Sequence, residues 1–121
     1  MTAPPRDLVA RVVSAFSGHR FAEAYDHIAT SARWVVHGGP TYDGRDAIIA
    51  ACEEARPELD TGTSEFLRFV VIVDGPRAAV DAVGRDGDGE VRVVASCDLY
   101  EFADDEISVI TSYAVEIDEA R

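Results

Sequence analysis

Residues 90–117 of the chain read EVRVVASCDLYEFADDEISVITSYAVEI, two apolar and β-branched runs on either side of a short acidic stretch. Runs of Val, Ile, Tyr and Phe bounded by turn residues predict β-strands. We therefore expect one strand over Glu90–Phe102 and a second over Glu106–Ile117, joined by a turn at Ala103-Asp104-Asp105. Consecutive strands joined by so short a turn run antiparallel.

The same pattern extends upstream to residue 64. Two more strands are predicted over Ser64–Val73 and Arg77–Arg85, with Asp74-Gly75-Pro76 as the turn between them. The run Asp86-Gly87-Asp88-Gly89, which leads into the next strand, is the strongest hairpin signal in the chain. The second half of the sequence therefore predicts a four-stranded antiparallel meander.

The first half of the sequence has helical periodicity instead. The apolar stripes of three predicted helices lie within Leu8–Phe16, Phe21–Ile28 and Ala47–Ala55. A short strand, Ala32–His37, is predicted between the second and third helices. Pro57 is expected to end the third helix, because the residue before a proline leaves helical geometry. Helices followed by strands indicate an α+β fold, with three N-terminal helices packed on a curved, mostly antiparallel sheet.

The composition is typical of one globular domain spanning residues 1–121, with 47% hydrophobic and 28% charged residues. The formal net charge is −12. Nucleic-acid phosphates and anionic membrane surfaces would be repelled by such a chain, so we expect neither as a partner. No apolar run approaches the roughly 20 residues needed to cross a bilayer.

The cysteines and histidines bear on cellular compartment and metal binding. Cys52 and Cys97 are the only cysteines and do not form a disulfide framework, and the N-terminal residues lack the apolar block of a signal peptide. We therefore expect a cytoplasmic protein. The histidines, His19, His27 and His37, have no metal-ligand spacing, and we predict neither a metal nor an organic cofactor.

The two faces of the predicted sheet differ from those of a sheet with one solvated side, because neither alternates apolar with charged residues. The outer face of the last two strands carries Val91, Val93, Ala95, Cys97, Leu99, Ile107, Val109, Thr111, Tyr113, Val115 and Ile117. Helices can cover only the other face. We therefore expect a homodimer that pairs these outer faces around a two-fold axis.

The order of these elements resembles the nuclear transport factor 2-like superfamily, and most closely its SnoaL-like polyketide cyclases and ketosteroid isomerases. The resemblance covers about residues 6–117. Its segments are Ala32-Arg33-Trp34-Val35-Val36, Tyr42-Asp43-Gly44-Arg45-Asp46-Ala47-Ile48, Asp98-Leu99-Tyr100-Glu101-Phe102 and Ile107–Val115. It implies a sheet wrapped into a cone around an internal pocket, a cystatin-like roll. The superfamily includes both enzymes and binding proteins, so the fold alone does not define a reaction.

Two catalytic patterns known from this superfamily match the sequence only in part. The ketosteroid isomerase pattern places its carboxylate base at Val36 and its tyrosine at Val12, but its aspartic acid falls on Asp98. The epoxide hydrolase pattern places its first aspartate on Asp81. Its arginine and second aspartate fall on Ala79 and Ser112. The resemblance therefore leaves two carboxylates, Asp81 and Asp98.

Alternation along the predicted strands directs both carboxylates inward, Asp81 with Ala79 and Val83, and Asp98 with Ser96 and Tyr100. Two acids in one apolar cavity favour a shared proton, so that one acts as general acid and the other as base.

A structural role is the competing interpretation for each carboxylate. Asp98 would then hydrogen-bond Ser96, Ser112, Tyr100 or an arginine. Asp81 would pair with Arg77, Arg85 or Arg92, or face solvent if a β-bulge shifts the register.

The remaining candidates are expected to contact a ligand. Trp34 and Val36 share one face of the short strand and should line the pocket, although a tryptophan packed in the core is an equal possibility. Tyr100, Ser96 and Ser112 are further ligand-binding candidates. His37 lies at the expected mouth, but strict alternation directs it outward unless Gly38-Gly39 twists it back. His19 and His27 are expected to be solvated.

Two functions from different classes fit these observations. One is a cofactor-independent enzyme of the cyclase, isomerase or dehydratase type, or an epoxide hydrolase, acting on a small apolar molecule in an acidic pocket. The other is a non-catalytic dimer that uses the same pocket as a binding or assembly module. An open pocket of at least about 300 Å³ with both carboxylates exposed to it would favour the enzyme, whereas a cavity filled by Trp34, Tyr100 and Phe102 would count against it.

Overall fold

The computed structural model describes residues 3–61, 64–86 and 92–117. Its helices are α1 (Arg6–Ser17), a 3-10 helix (Phe21–His27) and α2 (Arg45–Thr61). Its strands are β1 (Ile28–Val36), β2 (Thr41–Asp43), β3 (Ser64–Asp74), β4 (Arg77–Asp86), β5 (Arg92–Ala103) and β6 (Glu106–Ile117). The chain therefore has the expected α+β composition.

The strands form one open, mixed sheet in the order β2-β1-β6-β5-β4-β3. The last four strands make the expected antiparallel meander. Strand β1 runs parallel to β6 and antiparallel to β2. The sequence pattern identified β1 only from residue 32 and did not identify β2, which has three residues.

Helix α1 forms because its apolar residues recur at helical spacing after Pro5, whose fixed φ suits a helix entrance. Val9, Val12, Val13 and Phe16 are buried, and the helix packs on β3 and β4. Gly18 follows the helix. A Cβ at this position would lie 2.6 Å from the Ser14 carbonyl oxygen, so a side chain cannot be accommodated there without a shift of the backbone.

Helix α2 begins after Gly44, whose φ of +94° is a conformation that favours glycine. Ile48 and Cys52 on its inner side are buried. The expectation that Pro57 ends this helix was wrong, since the helix continues to Thr61. Proline has no N–H to donate to the preceding turn, but its φ is compatible with helical geometry, so the helix can pass through it.

The prediction that Ile107 lies on the outer face of the sheet was wrong, because a β-bulge lies beside it in the pairing of β5 with β6. Glu101 pairs with Val109, but the next residue, Phe102, pairs with Ile107, which leaves Ser108 as the extra residue. The Ser108 hydroxyl donates to the Glu101 carbonyl oxygen at 3.0 Å. A bulge shifts alternation by one residue, and both Ile107 and Ile110 are therefore fully buried instead of lying on opposite faces.

Two expectations fall on residues that the structure does not describe or that it describes only in part. The hairpin signal at residues 86–89 and the outward Val91 lie largely or wholly outside the described residues. Within the described part of the chain, no helix is both long and apolar enough to span a bilayer.

Candidate functional site

A half-open cavity of about 370 Å³ lies between the inner face of the sheet and the end of α1. Its walls are mostly aromatic and apolar, with Phe16, Phe21, Trp34, Phe66 and Val94 among them. Three polar side chains, Ser96, Asp98 and Ser112, interrupt this apolar lining from β5 and β6. The volume falls within the range of small-molecule sites.

Asp98 lies on β5 directly opposite Ser112 of β6. The Ser112 hydroxyl donates to Asp98 Oδ1 at 2.6 Å, and the hydroxyl of Ser17, the last residue of α1, donates to Oδ2 at 2.7 Å. These distances are typical of hydroxyl groups that donate to a carboxylate. Each oxygen of Asp98 therefore has one fixed donor and further capacity to accept.

Two aromatic side chains extend this network on both sides. Trp34 Nε1 donates to Ser112 Oγ at 2.9 Å, because an indole N–H can only donate. The Tyr100 and Ser17 hydroxyl oxygens lie 2.6 Å apart, and Ser17 uses its one proton on Asp98, so Tyr100 is the donor. Two chains of hydrogen bonds therefore end at Asp98. One runs from Tyr100 through Ser17, and the other runs from Trp34 through Ser112.

Tyr100 supports the site from behind instead of lining it. Only 1% of the residue is exposed, and it does not contribute to the cavity wall. Burial raises the pKa of the Tyr100 hydroxyl well above its usual value, and the charge of Asp98 adds to this shift. The hydroxyl therefore keeps its proton and remains the donor to Ser17.

Trp34 and Val36 both line the cavity, because alternate residues of β1 share a face. The Trp34 ring packs edge-on against Phe16, with ring centroids 5.1 Å apart, and lies 5.3 Å from the ring of Tyr42. Trp34 is thus part of the cavity wall and also packs against the core.

His19 is exposed, as the sequence predicts, but it also lies at the mouth of the cavity, which the sequence did not indicate. It occupies the left-handed region with φ +67°, at the position after a helix end that glycine usually fills. The His19 N–H donates to Phe16 O and the next N–H donates to Ala15 O, which closes a Schellman motif. Its ring lies 5.8 Å from Phe21 and 5.6 Å from Phe66.

The surroundings of the His19 imidazole also determine whether it carries a charge. Burial lowers the pKa of the imidazole from its usual 6.5, and this effect outweighs the opposing attraction of Asp98 and Asp86. The lowered pKa makes the neutral imidazole the prevailing form at neutral pH. The mouth also holds Glu65, Arg85 and Asp86, with Arg85 Nη1 lying 3.9 Å from Glu65 Oε1.

Asp81 does not face the cavity, so the expected pair of inward carboxylates is corrected. Asp81 pairs directly with Cys97 on the outer face, and its Oδ2 lies 2.8 Å from the Arg68 Nε. Ala78, Val80 and Ala82 are the inward residues of β4. The inward expectation took Ala79 and Val83, which share the face of Asp81, as buried residues, whereas the residues of the alternate face are the buried ones.

His37 is also outside the cavity lining that the structure describes. It follows Val36 at the end of β1, and its ring stacks on that of Tyr113 with centroids 4.6 Å apart. Its outward direction is the one that strict alternation predicts. Trp34, Val36, Ser96, Asp98 and Ser112 are therefore the sequence-derived candidates that the fold brings together.

Ser17 is the second residue that sequence reasoning missed. Val9, Val13 and Ser17 form one row at four-residue spacing, and all three are buried. A serine that continues an apolar helical row indicates a buried hydroxyl with a specific partner. That signal was present in the sequence, whereas the position of the exposed His19 at the cavity mouth depends on how α1 ends.

Comparisons with known proteins agree with this architecture. The model of the SnoaL-like domain matches residues 9–110. No curated protein sequence matches the chain.

Several solved structures are similar over most of their length. A nuclear transport factor 2-like protein of unknown function from Cytophaga hutchinsonii has a TM-score of 0.81 and 24% identity, covering 90% of this chain and 97% of that one. A candidate polyketide cyclase from Xanthomonas campestris pv. campestris has a TM-score of 0.70 and 18% identity, covering 88% and 87%. A protein with a ketosteroid isomerase-like fold from Catenulispora acidiphila, solved with trimethylamine, has a TM-score of 0.64 and 18% identity, covering 89% and 85%.

Proposed function

Because this chain belongs to the SnoaL-like domain family, we propose that it binds a small, largely apolar molecule in the cavity and holds that molecule's polar group at Asp98. One observation carries the proposal: a carboxylate held by two serine hydroxyls projects into a cavity whose other walls are mostly aromatic and apolar. Apolar walls with a few oriented polar groups are typical of small-molecule sites, since the walls supply burial and the polar groups supply orientation.

A cofactor-independent acid–base reaction is the second candidate function. Asp98 and His19 both line the cavity, and each can accept a proton from a bound molecule. The structural similarity to candidate polyketide cyclases favours this chemistry. An epoxide hydrolase arrangement is not proposed, because Asp81 lies on the outer face of the sheet.

Binding without turnover remains the better-supported function, because Asp98 is the only inward carboxylate of the two that the sequence suggested. The hydroxyl donors from Ser17 and Ser112 also hold the Asp98 carboxylate in one orientation, which suits a fixed anchor for a bound polar group.

Intrinsic fluorescence tests this proposal directly, because Trp34 is the only tryptophan in the chain and lies in the cavity wall. We expect 1-naphthol-like and steroid-like probes to change Trp34 emission saturably and to raise the melting temperature. At 100 times the dissociation constant, a ligand stabilises the folded state by about 2.7 kcal/mol.

A cavity-filling substitution is the control for this experiment. Ala114→Trp would add bulk to the cavity wall, and Ala22→Trp would add the same side chain to an exposed position of the 3-10 helix. Because both add a second tryptophan, binding to these variants is read from the melting temperature. The proposal fails if no probe binds the unmodified protein, or if Ala114→Trp retains the full ligand-induced rise while folded.

The outer face of the sheet supports a further part of the proposal, pairing with a second copy of the chain. Its exposed large side chains include Ile72, Leu99, Tyr113 and Val115, which are 41–59% exposed. Val93, by contrast, is buried within the protomer. A two-fold pairing of these faces would remove the apolar patch from water and close on itself without further growth.

A further inference from the structure

Resting on the proposed function, we infer that the molecule this cavity selects is an organic ammonium ion, a protonated amine with small apolar or aromatic substituents. Its N–H group would donate to Asp98 and its substituents would pack on the aromatic walls. The inference depends on the charges, hydrogen-bond capacity and wall composition of the cavity.

The charges that line the cavity have an acidic excess. Among the lining residues that the structure describes, Glu65, Asp86 and Asp98 are acidic, and Arg85 is the cation. Arg85 lies beside Glu65 at the mouth and not beside Asp98. His19 adds little positive charge because burial lowers the pKa of its imidazole.

A charged carboxylate on an apolar wall is costly unless an opposite charge compensates it. Inside the cavity, the hydroxyl donors of Ser17 and Ser112 supply hydrogen bonds to Asp98 but no charge. A cationic ligand would supply that charge, whereas an anionic one would be repelled. The net charge of −12 would also attract cations toward the protein from solution.

The hydrogen bonds at Asp98 also favour a ligand that carries an ammonium group. Ser17 and Ser112 have directed their protons to the carboxylate, so a ligand that reaches Asp98 meets acceptors. An ammonium N–H can donate to them, whereas a ketone oxygen cannot. The hydroxyl of Ser96 is the nearby group that could still serve a ketone, so a ketone belongs in the test.

The walls fit a cation with apolar substituents. Phe16, Phe21, Trp34 and Phe66 line the same cavity as Asp98. Aromatic faces attract cations, and the attraction grows when water is excluded. Aromatic rings and a single carboxylate together provide both interactions that a substituted ammonium ion needs.

Three molecules of nearly equal size separate these possibilities: N,N-dimethylbenzylamine, phenylacetone and isobutylbenzene. The first is a cation at neutral pH, the second a ketone and the third a hydrocarbon. We would measure the affinity of each for the whole chain at neutral pH, from Trp34 fluorescence and calorimetry. We expect the amine to bind at least about tenfold more tightly than either neutral molecule.

The variant Asp98→Asn should remove this preference and leave the affinity for isobutylbenzene within about twofold, because it keeps the shape of the side chain. The matched control Asp81→Asn changes the net charge equally on the outer face and should keep the preference. Circular dichroism and thermal melting establish that each variant is folded. If Asp98→Asn does not fold, the comparison of the three molecules on the unmodified protein still decides the inference.

Each other outcome has a definite meaning. If phenylacetone or isobutylbenzene binds as tightly as the amine, the ammonium inference is wrong and the proposed small-molecule function stands. If the amine preference survives in folded Asp98→Asn, the inference is also wrong, because the preference lies elsewhere. If none of the three molecules binds, both the inference and its basis in a ligand cavity lose their support.

Discussion

Replacement of Ser17 by alanine isolates the energetic role of the network around Asp98. The substitution removes the 2.7 Å hydrogen bond to Asp98 and takes away the acceptor of the Tyr100 hydroxyl. Tyr100 is 1% exposed, so water cannot easily replace that acceptor. Both losses act in the same direction and lower the free energy of unfolding.

The expected magnitude follows from these two losses. A hydrogen bond to a charged group contributes about 1.5–3 kcal/mol, and a buried polar group without a partner costs about 1–3 kcal/mol. The higher helix propensity of alanine returns up to about 0.5 kcal/mol. We therefore expect Ser17→Ala to lower the free energy of unfolding by about 2–6 kcal/mol, which corresponds to a fall in Tm of roughly 10 °C or more.

Denaturant unfolding of four proteins measures this effect: the unmodified chain, Ser17→Ala, Tyr100→Phe and the double variant. The double variant should regain about 1 kcal/mol or more relative to Ser17→Ala, because it no longer buries an unpaired hydroxyl. Ser14→Ala on the same helix controls for propensity. If Ser17→Ala equals Ser14→Ala in stability, or if the two substitutions are simply additive, this account of the network is wrong.

Three further outcomes are expected. The imidazole of His19 should titrate by NMR below 6.5. Because the unfolded state then binds the proton more readily than the folded state, the free energy of unfolding should fall as the pH is lowered from 6.5 to the pKa of His19 in the folded protein. A titration midpoint above 6.5 would contradict this. Asp81→Asn should lower the free energy of unfolding by less than about 1 kcal/mol, since its partner Arg68 is exposed, and a loss above 2 kcal/mol would indicate a larger role. Leu99→Lys should convert the expected dimer to a monomer by light scattering while Ala22→Lys does not, and a monomeric unmodified protein at micromolar concentration would refute the dimer.

Much of the site could be predicted because strand alternation is a local property. Trp34 and Val36 follow directly from the two-residue period of β1, and Asp98 and Ser96 follow from that of β5. Alternation shows only which residues share a face, because the more apolar face of β5, with Ala95 and Leu99, is the outer one. The resemblance, which places Asp98 in the pocket, indicated which face of β5 is the inner one.

Asp81 and Ile107 could not be placed in the same way, because their faces depend on register. A two-residue turn over Gly87-Asp88 would place Asp81 opposite Val94 on the inner face, whereas the observed partner is Cys97. The bulge at Ser108 likewise reverses the direction of Ile107. A register shift of one residue moves a side chain to the opposite face of the sheet, and the sequence pattern does not show where an extra residue is inserted.

Helix ends were similarly difficult to predict. Proline usually ends a helix, but α2 continues through Pro57 because the φ of proline is compatible with helical geometry. The position of His19 follows from the Schellman motif that reverses the chain after α1. Neither feature has a distinct periodicity in the sequence.

The parallel pairing of β1 with β6 has a consequence for the order in which this protein can fold. Trp34 and its partner Ser112 are 78 residues apart, and Ser17 and Asp98 are 81 residues apart. Contacts between such distant residues form slowly, because a large loop must close before they contribute any stability. During synthesis on the ribosome, β1 therefore cannot form its hydrogen bonds to β6 until β6 has been made, although its other neighbour, β2, is already present. The cavity wall is completed only at that point, so the emission of Trp34 should report a late step of folding.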